Sequence, residues 1–272
     1  IINTDARYII WLLDFLSSLD MDVDTIAAKN GFSHHALQKP NALVSAEQHR
    51  GLLSDAHRCY QGSDLGLILG LKRSIATHDQ LAYLMLSSAT LREASNAGLK
   101  YQNYSGRFSG NLVVTSFSEI QAEGCYQIDA KAELGELRLL AIEDILTNIV
   151  TTCHWVLGQA LPITKLRCNY PAPAHVEQYQ LIFQCPIEFD APTTQLFFNA
   201  NILDKPLPQS SPHSVTLYKK LCEEKSITRN QGNIAWRLSQ FIVEDPANPP
   251  SLYDAALKFH CSRRTLSRKL LA

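Results

Sequence analysis

Apolar residues near the start of the chain recur at helical intervals. Ile9, Ile10, Leu12, Leu13, Leu16 and Leu19 form one stripe behind a polar start at Asn3-Thr4, which predicts a first helix. Ser45 is followed three positions later by Gln48. That is the form of a capping box, in which the serine oxygen and the glutamine amide satisfy backbone groups the helix cannot pair itself, so a helix is expected from Ser45 to about Tyr60. Thr90 and Glu93 repeat the device ahead of Ala94, Ala97, Leu99 and Tyr101, placing another helix at about residues 90–104.

Between Gly106 and Glu133 the period changes from helical to alternating. NLVVTSF is rich in β-branched residues and GCYQIDAKAEL alternates apolar with polar, so the two read as a hairpin turning around Glu123-Gly124. From Gly135 to about Leu157, residues Leu137, Leu140, Ile145, Ile149, Val150 and Val156 line a helix able to pack across that sheet. A strand is expected over Ile163–Tyr170, a short helix inside YPAPAHVEQYQLIFQCP, and short strands at IEF and QLFF. The body is thus α+β, with mixed helices and an antiparallel sheet. Asp204–Pro212, DKPLPQSSP, denies a regular element both its hydrogen bonds and its apolar face and reads as a linker. The remainder is all-α, with helices at about 213–224 and 231–244 and a proline-rich break at Pro246–Pro250.

Composition agrees with a folded chain. Of 272 residues, 46% are hydrophobic and 19% charged, far from the low-hydrophobicity, high-charge region of disordered chains. The length suits one large domain or two unequal ones. Charge changes the picture more, because the net −1 conceals an asymmetry. Residues 251–272 carry Lys258, Arg263, Arg264, Arg268 and Lys269 against Asp254 alone, a basic end on an acidic body, which suggests contact with a polyanion. No run of apolar residues is long enough to span a membrane and the N-terminus lacks the order of a signal peptide, so a cytoplasmic protein with no membrane partner is expected. Seven cysteines are scattered without a C-x-x-C pair, as expected of reduced, structural thiols. The start at Ile1 and the stop after Leu270-Leu271 lead us to expect that the sequence continues beyond residue 272.

The basic end reads SLYDAALKFHCSRRTLSRKLLA. Leu252, Ala256 and Phe259, then Cys261, Leu266 and Leu270, fall on the inner faces of two short helices, with Ala256 small enough for the crossing and Ser262 able to cap the second helix. This is helix-turn-helix spacing. If the second helix lies in a major groove, Arg263, Arg264, Ser267 and Arg268 face the bases and Lys269 a phosphate. Composition alone favours a solvated surface helix over a DNA reader.

At these residues the sequence resembles a family. Ser262-Arg263-Arg264-Thr265-Leu266-Ser267-Arg268-Lys269-Leu270 is similar to the S-x-R-T-L-x-R-x-L of the first helix-turn-helix in AraC/XylS transcription regulators. SSATLREA (87–94), YPAPAHVEQYQLIF (170–183), PIEF (186–189) and FNANILDKPLP (198–208) resemble landmarks of the subgroup with an arabinose-binding-like N-terminal domain. The resemblance implies an effector-sensing and dimerising region over residues 1–205, a linker at 206–212, and a helical connector with the first helix-turn-helix over 213–272. It implies promoter or operator DNA, an unidentified small-molecule effector and a homodimer as partners, with RNA polymerase added if the protein activates. DNA contacts carry over to Ser262, Arg263, Arg264, Ser267, Arg268 and Lys269. Two departures stand out: His260 occupies a turn position usually filled by Gly, and the sequence to residue 272 is expected to carry only the first half of the family's DNA-binding module.

Other chemistry has little support. His49 and His57 are eight residues apart, too far for a local chelating pair, and His34-His35 are expected in a polar loop, so no metal site is expected. Cys153 and His154 are adjacent on a helix and point apart, which disfavours a nucleophile and base. Glu133, Glu136, Glu143 and Asp144 look like the solvated side of a helix. No nucleotide or hydrolase motif is present, and neither catalysis nor a cofactor is expected. Tyr101, Tyr104, Arg107, Tyr126 and Arg138 are near the expected sheet and could anchor an effector, but surface or core roles fit them at least as well, and no effector residue is assigned. Two rivals remain: an adaptor whose basic end docks an acidic protein surface, and a small-molecule hydrolase or transferase using Cys153 or His154.

Overall fold

Side-chain caps set where several helices begin in the computed structural model of the chain, which describes residues 4–39, 42–101, 112–230, 238, 250–259 and 261–270. In chain order the elements are β1 (Thr4–Asp5), α1 (Ala6–Ser17), α2 (Val23–Lys29), α3 (His34–Leu37), β2 (Leu43–Val44), α4 (Ala46–Cys59), α5 (Leu65–Lys72), α6 (Gln80–Ser87) and α7 (Leu91–Lys100). Then follow β3 (Val113–Ile120), β4 (Glu123–Ala130), α8 (Leu137–Leu157), β5 (Ile163–Arg167), α9 (Val176–Phe183), β6 (Ile187–Glu188), β7 (Thr194–Asn199), α10 (Pro212–Asn230), α11 (Leu252–Lys258) and α12 (Arg263–Leu270). The fold class is α+β, as the sequence predicts. Two compact units are present, Ile2–Lys220 and Leu221–Ala272.

The expected caps form. The Ser45 side chain accepts from the Gln48 amide while Gln48 accepts from the Ser45 amide, completing the box that opens α4. Thr90 accepts from the Glu93 amide at the start of α7, and Glu93 accepts from Ala89 rather than from the cap residue itself. The α7 helix stops at Lys100 with Tyr101 as its cap, and residues 102–104 of the longer expected helix lie outside the described residues. So do most of the helix expected at 231–244 and of the proline-rich break after it. The helix expected at 213–224 runs from Pro212 to Asn230.

The five-stranded sheet has the order β3-β4-β7-β5-β6, antiparallel except for the β5–β6 pair. The β3–β4 hairpin turns at Gln121-Ala122, both with positive φ, as a tight two-residue turn requires. Glu123 and Gly124, where the sequence suggested the turn, are already inside β4. Gly124 has a different reason to be glycine: a Cβ there would collide with the ring of Phe198, its partner on β7. Register places Thr115, Phe117, Tyr126, Ile128, Leu196 and Phe198 on one face.

The α8 helix is the long inner element, and α5 packs on it at very short range. A Cβ on Gly66 would lie 2.6 Å from the Leu140 carbonyl oxygen, and one on Gly70 would overlap the Thr147 hydroxyl and the Asp144 carbonyl. Only glycine permits this approach. Just beyond α5, Arg73 donates to both Asp144 carboxylate oxygens at 2.6 and 2.7 Å, with each side chain only 1% exposed. Arg73 also donates to the Tyr8 hydroxyl and stands over the rings of Tyr8 and Trp11 on α1. Next to Asp144, Glu143 is equally buried and accepts from His175 Nε2 (2.6 Å) and the Tyr179 hydroxyl (2.7 Å). The expectation that Glu143 and Asp144 lie on a wet helix face is therefore wrong. Both acids point inward because each finds a cation or donor on a segment distant in sequence, which periodicity cannot reveal.

Around these polar joints the core is conventional. Tyr8, Ile9, Leu12 and Leu16 of α1 are buried, each aliphatic side chain contributing about 1.5–3 kcal/mol. The proline-rich stretch is tied down rather than loose: Arg92 pairs with Asp204, Leu207 is buried and donates its amide to the Ala89 carbonyl, and Ser211 donates to that of Ser87. Thr90 and Pro206 form an isolated β-bridge. On α10, Tyr218 stacks on Tyr83 of α6.

Removing one member of the buried ion pair strands the other. Asp144→Ala should cost about 3–5 kcal/mol, whereas Arg73→Met with Asp144→Leu should cost much less than the single change, because no uncompensated charge remains. Urea denaturation of the three proteins measures both values.

Candidate nucleic-acid interface and interior cavity

Two places in the fold present chemistry. The first is the α11–α12 pair. Ser251 and Asp254 form a reciprocal capping box that starts α11. At its end the Phe259 amide returns to the Ala255 carbonyl, and the Cys261 amide to that of Ala256, the six-residue bond by which a helix reverses into a turn. Ser262 then caps α12, its hydroxyl accepting from the Thr265 amide at 3.1 Å. Ala255, Ala256 and Leu266 form a small buried core with Leu238, Phe259, Cys261 and Leu270 packed against it. Burying Leu266 fixes the face α12 turns outward, and Arg263, Arg264 and Arg268 are exposed on it, with Ser267 half-buried beside them. The side chain of Lys269, and His260 in the turn, lie outside the described residues.

The second place is a cavity of about 130 Å³ between α6, α7, the β3–β4 hairpin and α8. Its α8 wall is formed by Ile145, Asn148, Ile149, Thr152, Cys153 and Val156, one stripe at helical spacing. Leu81 and Met85 of α6, and Leu91, Ala94, Ser95, Gly98 and Leu99 of α7, stand opposite. The sheet contributes Val113, Thr115 and Tyr126, and His78 closes one end. Tyr126 is held in place by the Ser95 hydroxyl, with Cys153 Sγ at 3.8 Å, while Ser95 itself donates to the Leu91 carbonyl. Burial keeps this corner uncharged: it pushes the Cys153 thiol up to about 12 and the Tyr126 phenol well above its ordinary value. Asn148 is 2% exposed, and its side-chain amide has no hydrogen-bond partner among the described residues.

Of the residues near the sheet that could have anchored an effector, Tyr126 lines the cavity. Tyr101 is buried but is not among the described lining. Arg138 donates to the Ala130 carbonyl and to Asn169, bracing the sheet. Tyr104 and Arg107 lie outside the described residues. Asn148 and Thr152 were missed, although two polar residues at i, i+4 within an otherwise apolar helical stripe were visible in the sequence. For catalysis the arrangement offers little: Cys153 is buried and protonated, and His154 is exposed on another side of α8. His49 is buried with Nδ1 3.0 Å from the Thr4 hydroxyl. Among the described residues no cluster of histidine, cysteine or acidic side chains could hold a metal ion, no disulfide forms, and no helix is long and apolar enough to cross a membrane.

The chain is similar to known proteins over most of its length. The profile of the family described as the arabinose-binding domain of AraC transcription regulators, N-terminal, matches residues 21–207. An ornithine utilization regulator of Pseudomonas aeruginosa is 25% identical over 262 residues, covering 95% of this chain and 76% of the relative. In fold, the chain is similar to the crystal structure of the transcriptional regulator CdpR from Pseudomonas aeruginosa, with a TM-score of 0.53, 15% identity, and coverage of 91% of this chain and 76% of that one.

Two outcomes follow from the local geometry. Ser262→Ala should lose about 1 kcal/mol of α12 stability, read as faster hydrogen exchange at the amides of Arg264 and Thr265. The hydrogen bond to Glu143 raises the pKa of His175 above its ordinary 6.5, so the native state holds this proton more tightly than the unfolded one. Its contribution to stability should be complete below about pH 6.5 and be lost as pH rises through the higher native value. Urea midpoints measured from about pH 5.5 to 9 should show that decline, and His175→Gln should flatten it.

Proposed function

The chain belongs to the AraC transcription regulators that carry an arabinose-binding-type N-terminal domain, and from that premise we propose that it binds promoter or operator DNA through α11 and α12 and answers to a small-molecule effector held by its N-terminal region. The family is one of transcription regulators, not an enzyme class. The observation that carries the DNA-binding reading is the outward face of α12: three exposed arginines on a helix that is capped by Ser262 and fixed in rotation by the burial of Leu266. An arginine fork matches the paired acceptors of guanine in the major groove. In this reading Arg264 and Arg268 read bases, Arg263, Ser267 and Lys269 complete the contacts to bases and phosphates, and Ser262 places the helix N-terminus against the backbone.

The division of labour follows the family: residues 1–205 sense the effector and dimerise, residues 206–212 connect, and residues 213–272 carry the helix-turn-helix. Effector control is a population shift, in which the ligand favours one arrangement of the regulator through unequal affinity for the two. Dimerisation gives two reading helices an effective-concentration gain on adjacent half-sites. Where the protein activates, RNA polymerase is a further partner, and the working compartment is the cytoplasm, where promoter DNA is. One relative's name ties that protein to ornithine utilization; for this chain the effector class is a small metabolite.

Gel-shift titration of the full chain on its own promoter region tests the reading. Binding should weaken steeply between about 50 and 200 mM salt. Arg268→Ala should cost about 1–3 kcal/mol at one base position and relax the preference there. Binding that is absent, or insensitive to salt, points instead to an acidic protein surface as the target of the basic end.

A further inference from the structure

We propose that the cavity between α6, α7, β3, β4 and α8 is the effector site, and that it accepts a small uncharged molecule, largely apolar, whose one polar group hydrogen-bonds to Asn148 and Thr152. This rests on the regulator reading above for the word effector. The site itself stands on the geometry.

Size comes first. A cavity of about 130 Å³ is close to the 150 Å³ engineered void that accommodates a single benzene ring, and lies below the ~300 Å³ at which pockets for drug-sized ligands begin. The enclosed part takes about one six-membered ring, and the site is open on one side. Polarity comes next. Ser95 and Tyr126 already satisfy each other and the Leu91 carbonyl. Asn148 does not: its amide, buried to 2% exposure, offers a carbonyl oxygen and an NH2 group that meet no other described residue. One turn further on, the Thr152 hydroxyl also lines the cavity, and it too lacks a partner among the described residues. A buried amide is ordinarily paired, and the open Asn148 group, with the half-buried Thr152 hydroxyl beside it, is what a ligand with a carboxamide, hydroxyl or carbonyl would complete.

Charge decides the class. The described lining contains no Asp, Glu, Lys or Arg. The two acids nearest on α8 face other elements, Asp144 bound by Arg73 and Glu143 by His175 and Tyr179. An ammonium brought into this cavity would be desolvated without a counter-charge, and a carboxylate would find only the buried His78 imidazole at one end, a cost that deters charged occupants, cations most. Free amino acids are thereby disfavoured, and neutral ring or short-chain compounds favoured.

Isothermal titration calorimetry on the full chain, with benzamide as the uncharged probe, tests this. Toluene, benzoate and benzylamine serve as the apolar, anionic and cationic counterparts of nearly the same shape. Benzamide should bind and raise the thermal midpoint, with toluene roughly tenfold weaker and both ions weaker still. Asn148→Leu should weaken benzamide about tenfold while leaving toluene unchanged or improved. Thr152→Val, closer in shape, should give a smaller loss of the same kind and covers the case in which the Asn148 variant folds poorly. No binding of benzamide at millimolar concentration, either ion binding as tightly as benzamide, or indifference of benzamide to both substitutions would overturn the proposal. DNA affinity of the same samples is read separately by gel shift. A chain that shifts DNA but fails these titrations retains its regulator reading and loses this one, while the reverse result removes DNA control and keeps the ligand site.

Discussion

The ion pair between Arg73 and Asp144 is the constraint on which the N-terminal unit is arranged. Two opposite charges with almost no access to water are tolerable only when held at bonding distance, since either one alone would be left desolvated. Arg73 meets that demand at the end of α5, and in doing so touches α1 through Tyr8 and Trp11. Three helices are thus fixed to one guanidinium. Gly66 and Gly70 let α5 come close enough along its length for the pair to form. The rotation of α8 is then no longer free, because the turn carrying Asp144 and Thr147 must face α5.

That rotation distributes the rest of α8. Consecutive positions on a helix are about 100° apart, so Glu143 and Asp144 cannot share a partner. Glu143 is instead taken by His175 and Tyr179, with Tyr170 hydrogen-bonded to Tyr179, which joins α9 and the segment after β5 to the same spine. The remaining face, at 145, 148, 149, 152, 153 and 156, is left to look across a gap at α6, α7 and the hairpin. The cavity is therefore a product of two polar joints that hold α8 elsewhere, and of Tyr126 and Ser95 bracing the wall opposite.

Local signals in the sequence carried well. The Ser45–Gln48 box, the Thr90 cap and the Ser262 cap all form, because each depends only on residues three apart. The stripe of Ile145, Ile149 and Val156 correctly marked a helix, and β-branched alternation marked the hairpin. What failed was anything decided by partners remote in the chain. The inward turn of Asp144 depends on Arg73, 71 residues earlier, and that of Glu143 on His175, 32 residues later. Gly124 suggested a turn, yet its smallness serves the ring of Phe198 on another strand. The polar pair Asn148 and Thr152 was visible in the helical stripe, but only the void beside it on α8 gives the pair a meaning.

The pinned stretch between β7 and α10 has a mechanical meaning. Its backbone is laced to the bend between α6 and α7 through Ser87, Ala89 and Thr90, and those same two helices wall the cavity. A wedge driven between α8 and that bend cannot push it outward without dragging residues 206–211 along or unlacing them. The stretch by which the chain leaves the sheet is thus braced on the bend that joins two of the cavity's walls.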